Sequence, residues 1–402
     1  MSTQRYKEVI GSSASLCDHS IQSRKQIMTT TKRLFTILAT GAVALSLAAC
    51  SGTSTSTGST GSTGAAIADC NVGISMPTRS LERWINDGEG LKTQLEDAGC
   101  TVDLQYADNK TDQQISQIQN QVAGGAKILV VASIDGKVLS PVLAEAKKQD
   151  ATVIAYDRLI NGTKDVDYYA TFDNYKVGQL QGEFIEAQLG LADGKGPFNL
   201  EPFAGSPDDN NAKFFFSGAW DVLLPYVESG QLVVPSGKAP KSNDEWTTLG
   251  IQGWASDKSQ AEMDNRLSSF YGNGAKVNVV LSPNDSLAVG IEASLKSAGY
   301  KPGADYPLIT GQDADKANVK AILDGAQSMT VWKDTRTLGK QVFTMIQSIA
   351  AGDTVEVNDT KTYDNGKKVV PSFLLAPEVV TKDDVQTKLI DSGFIKASDV
   401  GL

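Results

Sequence analysis

Short apolar runs alternate with stretches of helical periodicity along most of this chain. The run KILVVAS (127–133) is continuous, which is typical of a strand covered on both faces. In the stretch 81–98 the apolar residues recur near helical spacing, which predicts an amphipathic helix. Strands and helices alternate in this way from 71 to 157, and that order predicts a parallel sheet with helices on both sides.

A second series of the same kind begins near Asn174. Its strand-like runs include VNVVLS (277–282) and QSMTVW (327–332), each with a helical stretch before and after it. A helix at 335–351 and a final strand near 369–375 are expected to close the chain. The pattern therefore predicts an α/β protein with two halves of similar size.

The N-terminal region breaks this alternation. Lys32 and Arg33 precede an apolar stretch at 34–49, and small residues lead directly to Cys50. This order is typical of a signal peptide. The alternative is a short transmembrane anchor, but the stretch is shorter than the about 20 residues that a spanning helix needs. The following residues, 51–66, consist of Ser, Thr, Gly and Ala, which predicts a flexible linker.

We therefore predict a signal peptide at 1–49 and a lipidated cysteine with its linker at 50–69. Residues 1–27 are unusual for an export signal, and Met28 would give a conventional start. We therefore interpret these residues as the result of a start codon assigned too far upstream. The pattern around Cys50 resembles the lipobox of bacterial lipoproteins. That resemblance implies a protein outside the cytoplasm, attached to the outer face of the cell membrane through its lipid alone or located in the periplasm.

Charge and histidine content exclude several classes of function. The chain has a formal charge of −10, and its first 49 residues hold six basic and two acidic side chains, so the remainder carries −14. An acidic surface argues against nucleic acid and against anionic lipid as partners. The one histidine, His19, lies in the predicted signal peptide, so the mature chain has no imidazole for triad catalysis or for a zinc site. We expect no cofactor and no metal ion.

Two cysteines remain in the mature chain besides Cys50. Cys70 and Cys100 each open a predicted strand, and a helix separates the two strands. If the strands are neighbours in a parallel sheet, both thiols lie at the same edge, where an oxidising compartment favours a disulfide. Two buried free thiols are the alternative.

Polar residues collect where the predicted strands end. In open α/β sheets, ligands bind beyond the carboxyl ends of the strands. The residues at these ends are Asp157, Arg158, Asp173, Asn174, Asn284, Asp285, Gln312, Asp313, Trp332 and Lys333. Carboxylate, amide and guanidinium groups beside the indoles of Trp84 and Trp254 suit a neutral polyol ring. The structural alternative is that Asp173 and Asp285 only cap helices and that Trp84 only fills the core.

Several longer segments resemble the extracytoplasmic sugar-binding proteins of ABC importers, nearest to their xylose-binding and multiple-monosaccharide-binding branches. The segments are MPTRSLERWINDG (76–88), VIAYDRLI (153–160), ATFDNYKVG (170–178), GSPDDNNAKFF (205–215), SPNDSLAVG (282–290), GQDAD (311–315) and NDTKTYDNGKKVVPSFLL (358–375). The resemblance extends from about Cys70 to Leu402. It implies the type I periplasmic-binding fold, with two Rossmann-like lobes joined by a three-strand hinge. The lobes would comprise 70–173 with 334–370, and 174–333 with 371–402.

The resemblance also implies a set of sugar-binding residues. From the first lobe and the first crossover they are Arg83, Trp84, Asp157, Arg158 and Asn174; from the second lobe and its crossover they are Asn211, Trp254, Asn284, Asp313 and Lys333. Trp254 would be a stacking platform opposite Trp84, with Trp246 as the competing candidate. Arg79 stands where relatives vary.

The function that the resemblance implies is capture of a monosaccharide by hinge closure and its delivery to an ABC permease. The aldose would be xylose or one like glucose, galactose or arabinose. A sugar sensor that presents its ligand to a membrane receptor or chemoreceptor is the alternative. An enzyme using Asp157, Asp173 or Asp313 as a carboxylate pair is disfavoured, because the mature chain lacks histidine and a phosphate-binding loop. A transcriptional repressor is disfavoured because no helix-turn-helix precedes the lobes.

Overall fold

The computed structural model describes residues 70–402 except 273 and 304. The predicted signal peptide at 1–49, lipidation at Cys50 and the linker to residue 69 lie outside the described residues. Within the described part of the chain, no helix is both long enough and apolar enough to cross a bilayer.

Strands and helices alternate as the periodicity predicts. The strands are β1 (Asn71–Met76), β2 (Thr101–Tyr106), β3 (Ile128–Val131), β4 (Thr152–Tyr156), β5 (Tyr168–Phe172), β6 (Phe198–Pro202), β7 (Leu232–Val233), β8 (Val279–Leu281), β9 (Leu308–Ile309), β10 (Thr330–Trp332), β11 (Ser372–Leu375) and β12 (Glu378–Val380). The α-helices are α1 (Glu82–Asp97), α2 (Thr111–Ala123), α3 (Ser140–Lys148), α4 (Asn174–Leu189), α5 (Asn210–Glu228), α6 (Ser256–Phe270), α7 (Asp285–Ser297), α8 (Lys316–Asp324), α9 (Thr335–Ala351) and α10 (Ala397–Val400).

The first lobe is built on a six-stranded parallel sheet in the order β11-β5-β4-β3-β1-β2. All four residues of β3 are buried, as expected for an inner strand with helices on both faces. Helices α1 and α9 pack against each other on one face of this sheet. Because β1 and β2 are neighbours, Cys70 and Cys100 lie side by side at their starts, and the structure joins them in a disulfide.

The second lobe contains a four-stranded parallel sheet in the order β7-β6-β8-β9. Strand β10 continues it through a parallel bridge from Val331 to Gln312 and pairs on its other side, antiparallel, with β12. Helices α4 and α5 cover one face and approach very closely. A Cβ atom on Gly178 would lie 1.8 Å from the carbonyl oxygen of Phe215, so only glycine fits there. The two-lobed α/β fold predicted from the sequence is confirmed.

Three connections pass between the lobes. They run through Asp173 after β5, through Lys333 and Asp334 after β10, and through the two residues between β11 and β12. The predicted boundary at 370/371 needs a correction, because β11 pairs with β5 and therefore extends the sheet of the first lobe. The prediction that this strand closes the chain is also wrong. Strand β12, a π-helical turn at Val385–Ile390 and α10 follow it and pack against α8 in the second lobe.

Candidate functional site

A cavity lies where the carboxyl ends of both sheets meet, and its empty space, including the part open to solvent, is about 300 Å³. Nine of the ten sugar-binding residues predicted from the sequence line it: Arg83, Trp84, Asp157, Arg158, Asn211, Trp254, Asn284, Asp313 and Lys333. Both lobes therefore contribute polar and aromatic side chains to the lining of the same cavity.

Arg83 is the most connected side chain of the cavity. It lies in the first turn of α1, where its Nη2 donates to Oδ2 of Asp87 and to Oδ1 of Asp157, each at 2.9 Å. Its Nη1 reaches Oδ1 of Asp313, in the other lobe, at 3.4 Å. Three carboxylates therefore surround one guanidinium, and together they raise the pKa of Arg83 against the opposing effect of burial. This cation stays charged at every working pH.

Asp157 follows β4 in a left-handed backbone conformation, with φ of 60°. Its carbonyl oxygen accepts hydrogen bonds from the hydroxyls of Tyr169 and Thr171 and from Nδ2 of Asn211, at 2.8, 2.9 and 2.7 Å. These bonds hold the turn in a conformation that non-glycine residues rarely adopt. Burial alone would raise the pKa of the Asp157 carboxyl, but Arg83 and other nearby cations lower it below its ordinary value. The site thus holds an ionised acceptor.

A second ion pair joins the lobes on the other side of the cavity. Nε of Arg158 lies 2.9 Å from Oδ2 of Asp209, and its Nη1 donates to the carbonyl oxygen of Ser133 at 3.1 Å. Oδ2 of Asp209 also accepts from the indole Nε1 of Trp254 at 3.1 Å. Burial raises the pKa of Asp209, and Arg158 opposes that shift. One carboxylate of the second lobe therefore orients both a guanidinium of the first lobe and an indole ring.

Lys333 brings a cation from the second crossover into the cavity. Its Nζ lies 3.0 Å from Oδ1 of Asp313 and 5.4 Å from the centre of the Phe215 ring, and the residue is 3% exposed. Asp313 has φ of 101° and Ala314 has φ of 55°, so two successive non-glycine residues are left-handed here. This backbone turns the Asp313 carboxylate back toward Arg83 and Lys333.

Aromatic rings line the cavity from both lobes. Trp84 packs beneath the guanidinium groups of Arg83 and Arg158, whose carbons lie 4.4 and 5.1 Å from its ring centre. Trp254 packs edge-on against Phe215 at 6.3 Å between ring centres. The competing candidate, Trp246, is 8% exposed in the hydrophobic core of the second lobe and does not line the cavity.

The structure does not place Asn174 on the cavity wall. Asn174 is buried one layer behind it, where its Nδ2 donates to the hydroxyl of Tyr169 at 3.3 Å. This position follows from the first turn of α4, which Asp173 caps by accepting from the backbone N–H of Lys176. Asn174 therefore contacts the cavity through Tyr169, whose hydroxyl donates to the carbonyl oxygen of Asp157.

The helix-capping alternative holds for Asp173 but is wrong for Asp285. The N-cap of α7 is Asn284, whose Oδ1 accepts from the backbone N–H of Leu287 at 3.1 Å. Asp285 is instead fully buried and accepts from Gln327, from Thr330 and from the backbone N–H of residue 315. Asn284 therefore lines the cavity while it also begins a helix.

Three residues that line the cavity, Leu81, Asp209 and Phe215, were not predicted, and Gln312 was predicted only as a strand-end residue and not as a sugar-binding one. Asp209 lies in the segment 205–215 and Gln312 directly precedes Asp313, so their positions signalled both of them. Phe215 and Leu81 have the periodicity of core residues. The sequence pattern does not distinguish an apolar side chain that faces the core from one that faces a cavity. Arg79 stacks over the ring of Tyr106 at 3.9 Å and lies outside the cavity lining.

Two lobes that close on a polar and aromatic cavity define the class of this molecule as a two-lobed solute-binding protein. The family model of the periplasmic binding protein domain matches residues 72–354. The chain belongs to this family, as its motifs predict.

Individual relatives agree in sequence and in structure. The multiple sugar-binding periplasmic protein SbpA of Azospirillum brasilense is 52% identical over 324 residues, which are 80% of this chain and 89% of SbpA. The D-xylose-binding periplasmic protein of Escherichia coli is 35% identical over 332 residues, 83% of this chain and 93% of the relative. The crystal structure of an ABC transporter solute-binding protein from Clostridium phytofermentans with bound β-D-glucose has a TM-score of 0.78 at 49% identity, and the match covers 82% of this chain and 99% of that one.

Proposed function

We propose that this protein captures a monosaccharide between its lobes by hinge closure and delivers it to the permease of an ABC importer. The ligand would be an aldose of the xylose, glucose, galactose or arabinose type. The observation that carries the proposal is the single cavity where Arg83 and Arg158 of one lobe meet Asp313 and Asp209 of the other. The names of the relatives, which mention several sugars, xylose and bound glucose, support the same class of ligand.

The chemistry of the cavity fits a ring of hydroxyl groups. Carboxylates such as Asp157 accept hydrogen bonds, guanidinium groups donate them, and the amide of Asn284 can do both. The apolar C–H face of a pyranose can lie on the indole of Trp84 or Trp254. A buried hydroxyl without a partner costs about 1–3 kcal/mol, so a wrong epimer is rejected when one hydroxyl points at the wrong group.

Hinge closure explains why neither lobe holds a complete site. The sugar bridges two half-sites and shifts the population toward the closed form, which the permease then recognises. A sensor would use the same closed form but a different membrane partner. Co-purification with permease subunits or with a receptor distinguishes the two.

The direct test is calorimetric titration of the mature protein with xylose, glucose, galactose and arabinose. We expect saturable binding of at least one of them, together with a change in tryptophan fluorescence. Maltose, a disaccharide of the same hydroxyl chemistry, is the control ligand and should not bind. A protein that responds to none of the four aldoses does not have the proposed function.

We also propose that a lipid on Cys50 attaches the mature chain to the outer face of the membrane. The small residues before Cys50 and the Ser/Thr/Gly-rich linker after it support this attachment. Cys50→Ser should move the protein from the membrane fraction to the soluble extracytoplasmic fraction without changing sugar affinity. Membrane association that survives this substitution would contradict the anchor.

A further inference from the structure

Asp87 lies behind the cavity, one helical turn after Arg83 on α1. It is 2% exposed and does not line the cavity, yet its Oδ2 accepts a hydrogen bond from Nη2 of Arg83 at 2.9 Å. The same nitrogen donates to Asp157 at an equal distance. Two carboxylates, one behind the cavity and one on its wall, therefore share one nitrogen of the guanidinium.

We propose that Asp87 is a positioning residue that fixes the guanidinium of Arg83 for the sugar, and that its charge thereby sets how tightly the cavity binds its ligand. This inference rests on the proposed function, since it concerns the same cavity. Arg83 has a long side chain whose rotamer freedom opposes a fixed geometry. A carboxylate behind it holds the guanidinium plane in place and leaves Nη1 directed at Asp313 across the cavity.

The pairing is through one nitrogen rather than the two-nitrogen fork that makes arginine–carboxylate pairs strong. Nε of Arg83 and Oδ1 of Asp87 are both buried and have no hydrogen-bond partner among the described residues. Nη2 has two hydrogens, and it donates one to Asp87 and one to Asp157. The charge of Asp87 therefore decides how firmly the guanidinium is held back from the cavity wall.

The surroundings of Asp87 let that charge change near neutral pH. It faces Arg83 on its own helix, Asp157 and Tyr156 at the end of β4, Tyr106 on β2 and Lys333 at the crossover. Burial raises the pKa of Asp87 to about 6, Arg83 and Lys333 oppose the shift, and Asp157 adds to it.

The direction of the effect follows from this division of hydrogen bonds. When Asp87 is charged, it holds one hydrogen of Nη2 behind the cavity and keeps the guanidinium in a fixed position, from which Nη1 faces Asp313. When Asp87 is protonated, this hydrogen bond weakens, and Arg83 moves closer to Asp157 and Asp313 and occupies their oxygens more fully. Sugar affinity should therefore fall as the pH falls through about 6. By reciprocity, bound sugar should lower the pKa of Asp87.

The test is calorimetric titration at pH about 7.5 and about 5, with whichever of D-glucose or D-xylose the unmodified protein binds. One unit of pKa difference between free and bound protein changes affinity about tenfold at pH values below both pKa values, so we expect about fivefold weaker binding at pH about 5. Asp87→Asn should bind about tenfold more weakly at pH about 7.5 and should lose most of the pH dependence. Glu89→Gln, on an exposed face of the same helix, is the control and should match the unmodified protein.

The other carboxyls with raised pKa values keep their contribution in both proteins, so the difference between the two profiles isolates Asp87; they are Asp209, Asp285, Glu292 and Asp315. Thermal unfolding checks that Asp87→Asn is folded at each pH; if it is not, Asp87→Ser, which leaves room for water beside Arg83, is measured instead.

The inference is overturned if the unmodified protein binds equally well at both pH values, or if the variant keeps the affinity and the profile of the unmodified protein. Absence of any sugar binding by the unmodified protein would instead overturn the proposed function, and this inference with it.

Discussion

The two lobes contribute different charges to the same cavity. The first lobe supplies the guanidinium groups of Arg83 and Arg158, and the second lobe supplies the carboxylates of Asp313 and Asp209. A buried ion without a partner is strongly destabilising, whereas a pair that is hydrogen-bonded on all sides is tolerated. Arg83 also pairs with Asp157 in its own lobe, and Asp313 also pairs with Lys333, whereas the pair of Arg158 and Asp209 joins the two lobes. The groups that join the lobes are the ones proposed to bind the ligand, so substitutions on either wall should affect affinity more than fold.

The largest effect should come from Asp313→Ala. This carboxylate pairs with Arg83 and Lys333 and is proposed to accept from the sugar, and hydrogen bonds to charged groups contribute about 1.5–3 kcal/mol each. We expect about 100-fold weaker binding by calorimetry, with a folded protein by circular dichroism. Asp324→Ala, on an exposed end of α8, is the matched control and should bind normally. Unchanged affinity of Asp313→Ala would show that the second lobe does not bind the ligand through this residue.

A smaller loss should follow from Asp209→Asn. The substitution removes the charge that Arg158 faces and weakens the bond that orients Trp254, but it retains an oxygen that can accept from the backbone N–H of Asn211. Affinity should fall about 30-fold, mostly through faster dissociation measured by stopped-flow fluorescence. Asp193→Asn, exposed in the same lobe, controls for net charge. Equal losses in both variants would attribute the effect to long-range charge rather than to the pair across the lobes.

The two tryptophans of the second lobe offer a matched comparison. Trp254→Phe removes part of the ring surface and the N–H bond to Asp209, so affinity should fall about tenfold. Trp246→Phe alters only the core and should lower the thermal midpoint while leaving affinity unchanged. The reverse result would transfer the stacking role to Trp246.

The smallest effect should be at the rim of the cleft. There Nζ of Lys316 in the second lobe lies 2.6 Å from Oε1 of Glu82 in the first, and both side chains are partly exposed. Exposed ion pairs contribute about 0–1 kcal/mol and are screened by salt. Lys316→Gln should weaken binding about twofold at low ionic strength and not at all at high ionic strength, whereas Lys320→Gln should have no effect at either. A loss that persists at high salt would mean that Lys316 acts by something other than its charge.

Most of the fold could be predicted from periodicity because helices and inner strands of α/β proteins have distinct patterns. The bounds of α9 agree with the prediction to the residue, since this helix has a long apolar face. Short edge strands were less predictable. Strand β7, at the edge of the second sheet, comprises only Leu232–Val233, because a strand with one neighbour buries fewer residues and leaves a weaker pattern.

The candidate site could be predicted only as a set of strand ends. Sequence position brings Asp157, Arg158 and Asp313 to the carboxyl edges of sheets, because every parallel strand ends at the same edge. It does not show that Asn174 is buried behind the cavity lining, nor that Asp209 lies beside Arg158. Those contacts depend on how helices and strands from different parts of the chain pack against each other.

By itself, the sequence determined that this chain is a two-lobed α/β protein with polar strand ends, because secondary structure follows from local periodicity and parallel sheets from the order of elements. Only the tertiary structure decided that Arg83 contacts Asp313, 230 residues away, and that Asp87 accepts a hydrogen bond from Arg83 behind the cavity. The physical reason is that ion pairing and burial are set by distances in space, which local patterns of residues do not contain.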